Sequence, residues 1–483
     1  MSHPWMMMSQ ISQFLPEAKI LHAPTVDFEI KRFISDSRQV SLGDGFIAIQ
    51  GEKFDAHEFL ADVQQAGAQV CIISDESKLP SQMPAVLVKD TLQAIQQLAK
   101  AWRSDCAKAS LKNLAVVTGS NGKTTVKGMI DSIFSVAVGA DKALATQGNL
   151  NNEIGLPLTL LRLNKDHQLA VIELGMNHPG ETTLLADIAQ ANIALINNAQ
   201  REHQEFMATV EAVAKEHGLA IEALPLDGVA VYPADSEYSS YWKKLSANRR
   251  VIDFVWGGKI KDQVNAQVKA QVTGSWVDAS ANSISIQTPL GNIQVRLNIL
   301  GEHNAQNALA ATAVALAANL SLDVIKQGLE NFQPVTGRMQ KHQLNAQTTL
   351  IDDTYNANPD SVRAAIDVLS SLPTSAWLVL GDMGEVGEQG PQFHSEVGAY
   401  AGEKGIQKLF ATGELTKQAV SAYTEQSIAG HSAVYFKEMD ELCAALKQAL
   451  AQRSSNETTT VLIKGSRFMR MERAVKALAE EIH

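Results

Sequence analysis

Eight consecutive residues, Thr118-Gly119-Ser120-Asn121-Gly122-Lys123-Thr124-Thr125, join a short apolar run to a helical pattern that lasts through Phe134. Glycines let such a turn close tightly and aim several backbone N–H groups at phosphate oxygens, and the helix start adds a positive dipole end. Lys123 then supplies a cation for the outer phosphates, and the Thr124 hydroxyl can reach Mg²⁺. The general GxxxxGK[ST] spacing asks for glycine at 117, where Val117 stands, so this is not the common form of the loop.

Other chemistry-bearing residues fall where apolar runs end. Glu173 closes Leu169–Glu173, within reach of a cation held by Thr124, and His203 lies shortly after Ile193–Asn197. Asp352-Asp353 close Thr349–Asp353, and Lys464 with Arg467 makes a compact basic turn after Val461–Lys464. Paired acids at a strand end are costly unless they are solvated or meet a ligand.

The elements that must position them alternate. Residues 1–110 read as a small mixed α/β unit with runs at Phe46–Ile49, Val70–Ile73 and Val86–Val88. From 111 to 333, buried runs alternate with helices, which implies a mostly parallel sheet. A period of two between about 263 and 299 (Val268, Ala270, Val272; Val295, Leu297, Ile299) adds an antiparallel flank, and an alanine-rich helix follows from His303 to Asn319. Gln333-Pro334 is a plausible joint, and 334–483 read as a second, Rossmann-like open α/β sheet. The expected fold class is α/β in three domains.

Composition narrows the function. With 483 residues and 45% hydrophobic content, the chain can build several cores, whereas 41 Lys and Arg against 52 Asp and Glu argue against a nucleic-acid-binding surface. Anionic ligands must therefore be gripped locally. Three scattered cysteines make neither a disulfide framework nor a metal motif. No secretory signal is visible, and the longest apolar stretch, Ala308–Ala318, is too short to span a bilayer, so a soluble cytoplasmic protein is expected.

The phosphate loop resembles that of the Mur ligase family, which more often reads GTNGKT. Further segments resemble the same family in its order: SDSRQVSLGDGFIAIQGEKFDAHEF near the start, then TQGNLNNEIGLP, IELGMNHPGE, GEHNAQNALAA, DDTYNANPDS, LGDMGEVG and IKGSRFMRME. Together they look like the branch that adds D-alanyl-D-alanine to UDP-N-acetylmuramoyl-tripeptide. The resemblance implies ATP as co-substrate, Mg²⁺, an acyl-phosphate intermediate and a place in cytoplasmic peptidoglycan precursor synthesis, which serves the cell wall, cell shape and division. Without it, the spacing reaches only an ATP-using enzyme.

What the resemblance implies for residues is specific. Lys123, Glu173, His203 and Arg338 would be catalytic, with Thr124, Glu173 and His203 at metal. Gly119, Ser120, Asn121, Gly122, Thr124 and Thr125 would cradle ATP, with Asn304 and Asn307 near adenine, Asp353 on the ribose and Arg338 reaching the phosphates. Ser37, Arg38 and His57 would take the uridine diphosphate end, a group suited to a bidentate arginine. Asn149 and Asn152 would lie near the UDP-substrate and the γ-phosphate, and Tyr355, Asn356, Asn358 and Lys464 would line the dipeptide pocket. The chain is expected to act as a monomer.

One departure stands out. Many relatives carry a carbamylated lysine about a dozen residues after the metal histidine. Counting on from His203, that position is His217, and Lys215 lies two residues earlier. On a helix these side chains point about 200° apart, so no carbamate is expected here. Rival readings are a sister ligase adding the third stem residue, a folate polyglutamate ligase, or a nucleotide-gated binding protein without turnover. DDTYNANP stands against the first, and Glu173 with a separate uridine module stands against the last.

Overall fold

The computed structural model describes residues 5–51, 54–202, 204–257, 270–426, 428–454 and 456–480. Among these, a nine-stranded sheet occupies the middle of the chain. Its order is Gly291–Arg296, Ser283–Thr288, Val272–Asp278, Arg250–Trp256, Val229–Pro233, Ile193–Ile196, Asn113–Thr118, Leu169–Glu173 and Ala143–Ala145. Asn113–Thr118 pairs in parallel with Leu169–Glu173 on one side and with Ile193–Ile196 on the other. The chain thus changes direction of travel across the sheet at this strand, and the crevice beyond its carboxyl end is where open α/β sheets take ligands.

The strands read as continuous apolar runs because both faces are covered. Ala115, Val117, Val171 and Leu195 face a core shared with the helices Lys123–Val138 and Glu302–Ala317. Leu114, Val116, Ile172 and Ile196 face the opposite core, shared with Ile95, Leu98 and Trp102 of the helix Thr91–Ala109. That helix therefore packs on the central sheet although it precedes residue 111. The antiparallel flank is built from Val272–Asp278, Ser283–Thr288 and Gly291–Arg296. Leu297 and Ile299 stay buried but lie past the last ladder, and Val268 lies outside the described residues.

Near the N-terminus a five-stranded sheet runs Lys19–Leu21, Ala85–Leu87, Val70–Ile73, Gly45–Ile47 and Phe33–Ile34. The last third forms a six-stranded sheet: Gln340–Gln343, Thr348–Asp353, Thr459–Lys464, Ser375–Gly381, Lys408–Thr412 and Ser432–Phe436. Thr348–Asp353 and Thr459–Lys464 pair in parallel, with Asp353 directly opposite Lys464. One apolar cluster runs from the central sheet into this one, joining Val126, Phe332, Ile351 and Val362. That shared core sets the strand ends of the two sheets across one cleft.

Candidate active site

The cleft, about 670 Å³, is lined from the central sheet by Ser120–Thr125, Asn149, Asn151, Asn152, Glu173 and Glu202, and from the C-terminal sheet by Arg338, Asp353, Tyr355, Asn358 and Lys464. Its floor is the phosphate loop. Gly119 and Gly122 adopt φ of +134° and +80°, which other residues rarely adopt. A Cβ on Gly122 would also lie 2.6 Å from Asn307 Oδ1.

The loop is stitched to the segment after Ile193–Ile196. Asn197 and Asn198 donate to the Asn121 carbonyl at 2.8 and 2.9 Å, and Asn121 N donates to Asn198 Oδ1 at 2.8 Å. Asn121 Nδ2 reaches Gln200 Oε1 at 2.7 Å, and Gln200 N reaches Ser120 Oγ at 2.9 Å. Thr124 and Thr125 lie in the first turn of the following helix, buried at the cleft wall.

Lys123 donates to Gly119 O and to Glu202 Oε1, at 2.5 and 2.7 Å. The pair is well shielded, with side-chain exposures of 15% and 8%. On its far side, Glu202 Oε2 lies 3.8 Å from His217 Nε2, and His217 Nδ1 is 2.8 Å from the Thr118 hydroxyl. His217 is fully buried, whereas Lys215 extends into solvent and pairs with Glu211 at 2.7 Å. The helical period thus puts 217 on the inner face of Val210–Glu222 and 215 on the outer one.

Glu173 is 3% exposed. Its Oε1 accepts from Asn151 Nδ2 at 2.9 Å, and its Oε2 is buried with no hydrogen-bond partner among the described residues. A buried carboxylate oxygen left open at a phosphate site has the donor chemistry of a Mg²⁺ ligand, and the Thr124 hydroxyl is the second such group. No cluster of three His, Cys, Asp or Glu stands ready for a metal among the described residues, and His203 lies outside them. The donor set fits an ion that keeps waters and phosphate oxygens as its other ligands.

Across the cleft, Asp352 and Asp353 diverge. Asp352 turns inward and accepts from the Thr354 hydroxyl at 2.6 Å. Asp353 accepts from Lys464 Nζ at 2.6 Å and from Met339 N at 3.1 Å. Two residues expected at different ligands, ribose and dipeptide, are therefore one ion pair. Asn121 and Asn358, also expected at different ligands, are joined by a hydrogen bond: Asn358 Nδ2 donates to Asn121 Oδ1 at 2.9 Å while its own Oδ1 caps the helix Pro359–Ser371. Asn356 is exposed, and its carbonyl accepts from Lys464 at 2.9 Å. Arg338 lies over the Tyr355 ring, 4.1 Å from its centroid, with a buried Nε that has no acceptor among the described residues.

Asn304 and Asn307 are buried members of a relay. Asn304 Nδ2 donates to Leu300 O and to His303 Nε2, Asn307 Nδ2 donates to Asn304 Oδ1, and Asn197 Nδ2 donates to Asn307 Oδ1. Burial pushes the His303 imidazole down to about 4, in keeping with a ring nitrogen that must stay unprotonated to accept. Asn149 and Asn152 reach the cleft, Asn152 while capping the turn before Gly155–Leu160 through a 2.9 Å bond from Gly155 N.

The expected uridine-diphosphate residues lie elsewhere. None of Ser37, Arg38 and His57 lines the cleft. Arg38 forks onto Asp36 at 2.9 and 2.8 Å and holds that carboxylate far below its usual range. His57 is engaged on both sides of its ring. It is 2% exposed, its Nδ1 donates to Asp55 at 2.6 Å and its Nε2 accepts from Ser74 N at 2.9 Å. Both ring nitrogens have partners inside the protein, so His57 braces its loop, and a ligand at this ring would have to displace one of them.

Sequence reasoning missed Glu202, the Asn197-Asn198-Gln200 stitch, His303 and Arg201. A polar run, NNAQRE, directly after a buried strand and opposite the phosphate loop was the available signal.

Comparison with known proteins agrees with this layout. Residues 117–315 match the Mur ligase middle domain, and residues 337–467 match the Mur ligase glutamate ligase domain. The chain is 36% identical over 454 residues to the UDP-N-acetylmuramoyl-tripeptide–D-alanyl-D-alanine ligase of Escherichia coli (strain K12), covering 94% of this chain and 95% of that protein. The enzyme of the same name from Haemophilus influenzae is 36% identical over 474 residues, 98% of each chain. A crystal structure of MurF from Acinetobacter baumannii superposes with a TM-score of 0.86 at 34% identity, covering 99% of both chains.

Proposed function

The chain belongs to the Mur ligase family, and we propose that it is the ATP-dependent ligase that joins D-alanyl-D-alanine to UDP-N-acetylmuramoyl-tripeptide. A carboxylate does not condense with an amine at neutral pH, because its oxygen is a poor leaving group. The substrate carboxylate attacks the γ-phosphorus of ATP and expels ADP, giving an acyl phosphate. The dipeptide amine then attacks the carbonyl carbon, and the tetrahedral adduct expels phosphate, which keeps the former carboxylate oxygen. The amine's proton leaves to a base or water.

Both steps gather negative charge, so positioning and cations carry most of the catalysis. Lys123 meets the transferring phosphate once that phosphate displaces Glu202 from its ammonium. Arg338, whose Nε has no acceptor among the described residues, is the cation reaching in from the opposite wall. Glu173, with the Thr124 hydroxyl and His203, would hold Mg²⁺, which neutralises phosphate charge when bound.

Asp353 retains room for a ribose hydroxyl, since a carboxylate offers about four acceptor sites and two are used here. Asn304 can accept from an adenine amino group through its remaining lone pair, with Asn307 behind it. Tyr355, Asn356, Asn358 and Lys464 are assigned to the dipeptide, Lys464 through its third N–H. Asn149 and Asn152 are assigned to the UDP-substrate near the γ-phosphate. Its uridine end goes to residues 1–110, with Ser37 and an Arg38 that exchanges Asp36 for diphosphate. We retain 111–333 as the ATP unit and 334–483 as the acceptor unit. Both walls of the cleft come from one chain, which is compatible with the monomer we propose, and the cytoplasm is its proposed location.

The observation that carries this reading is the 2.9 Å bond from Asn358 to Asn121, which supports one site shared by a phosphate loop and an acceptor unit. The test is ADP release with ATP and UDP-N-acetylmuramoyl-tripeptide, with and without D-alanyl-D-alanine. Sustained release that requires the dipeptide is expected, and release indifferent to it would remove the assignment.

A further inference from the structure

The segment after Ile193–Ile196 grips in two directions. Asn197, Asn198 and Gln200 hold the phosphate loop and Glu202 holds Lys123, but Arg201 turns the opposite way. Its backbone N–H donates to Asp360 Oδ2 at 2.9 Å, and its Nη2 reaches Asp360 Oδ1 at 2.6 Å. Nη1 and Nη2 also fork onto Glu396 at 2.6 and 2.9 Å, and the guanidinium lies 5.3 Å from the Phe393 ring centroid.

The receiving side is cross-linked by its own contacts. Asp360 sits in the first turn of Pro359–Ser371, two residues after Asn358, which bonds Asn121. Glu396 sits on Gly390–Glu403 and also takes Arg363 Nη1 at 3.2 Å, while Arg363 lies 3.9 Å from the Tyr400 ring centroid on that same helix. These contacts lock the two helices into one seat.

Exposed ion pairs are usually worth little, but a guanidinium forked onto two carboxylates within a network is the exception. Arg201, Asp360 and Glu396 are only 24%, 23% and 31% exposed, and Arg201 lies beside the residue that holds Lys123. We propose that Arg201 is a positioning residue that couples the seating of the C-terminal unit to the shape of the phosphate loop. With Arg201 seated, the loop presents Lys123 while Asn358 meets Asn121. With Arg201 unseated, the acceptor unit and the phosphate site lose their common register. The catalytic purpose of this coupling rests on the ligase reading; the mechanical coupling does not.

The test uses the full chain and Arg201→Met. Small-angle scattering without ligands should show a larger radius of gyration than wild type. kcat/KM for D-alanyl-D-alanine should fall by ten- to a hundredfold, roughly what a misplacement of about an ångström costs. Affinity for UDP-N-acetylmuramoyl-tripeptide, measured by calorimetry, should stay within about twofold of wild type, because that ligand's uridine end lies on another unit. Glu396→Gln, which removes half of the clasp, should shift radius and kcat/KM in the same directions by less. An unchanged radius or an unchanged kcat/KM in Arg201→Met overturns the proposal, as does loss of UDP-substrate binding, which would mean general unfolding. Wild type without dipeptide-dependent turnover would instead strike the ligase reading, leaving the scattering comparison to decide the clasp.

Discussion

Lys123 and Glu202 face each other at 2.7 Å at the floor of the cleft, so the cation proposed for phosphate is already matched by a carboxylate. A triphosphate must displace that carboxylate or bring a cation to it. In Glu202→Gln, a non-hydrolysable ATP analogue in the presence of EDTA should bind about tenfold tighter, the order of one charge-assisted bond no longer broken. Calorimetry reads this directly, and unchanged affinity would mean that the pair does not restrain Lys123. Lys123→Ala should lose turnover, a barrier increase of several kcal/mol, while UDP-substrate affinity persists.

Asp353 and Lys464 are the C-terminal counterpart, an ion pair between adjacent parallel strand ends with side-chain exposures of 14% and 4%. Removing either partner strands a poorly solvated charge. Lys464→Met or Asp353→Asn should each cost about 3–5 kcal/mol, and the double substitution should cost less than the sum. Denaturant unfolding followed by fluorescence of Trp377, which lies in this sheet, would show it. Additive losses would mean the pair contributes nothing as a pair.

His303 gives a pH dependence with a definite sign. Its folded-state value is about 4 against an ordinary 6.5, so between these limits the unfolded chain binds the extra proton. Its contribution is complete above about 6.5 and is lost as pH falls toward 4, at no more than about 1.4 kcal/mol per pH unit and less for a half-buried ring. Melting temperatures of wild type and His303→Gln should therefore diverge least near pH 5 and most above 7. Parallel curves would show that His303 titrates freely.

Lys215 pairs with Glu211 in solvent and His217 is the buried residue beside Glu202. Carbon NMR with labelled bicarbonate should accordingly show no carbamate, and activity at mildly acidic pH should not respond to bicarbonate. A carbamate resonance that disappears in Lys215→Arg would reverse this.

The sequence revealed most where one residue type had one physical use. Apolar runs covered on both faces gave the parallel strands, and Gly119 and Gly122 marked backbone that only glycine adopts easily. What stayed hidden were the choices among equivalent partners. Asp352 and Asp353 look alike in sequence, yet only Asp353 turns to the cleft, because alternation along a strand sends its neighbour inward to Thr354. The partners of His57, Asp55 and Ser74 N, were not legible either, because a histidine's type does not disclose what its two nitrogens engage. Glu202 and Arg201 went unseen because Lys123 lies 79 residues from the first and Asp360 lies 159 from the second, beyond any local pattern.

The most direct measurement follows oxygen. UDP-N-acetylmuramoyl-tripeptide carrying ¹⁸O in its reactive carboxylate is turned over with ATP and D-alanyl-D-alanine, and both products are weighed by mass spectrometry. The expected result is UDP-N-acetylmuramoyl-pentapeptide together with phosphate that has gained one ¹⁸O. Unlabelled phosphate, or no ligated product, would contradict an ATP-driven ligase working through an acyl phosphate.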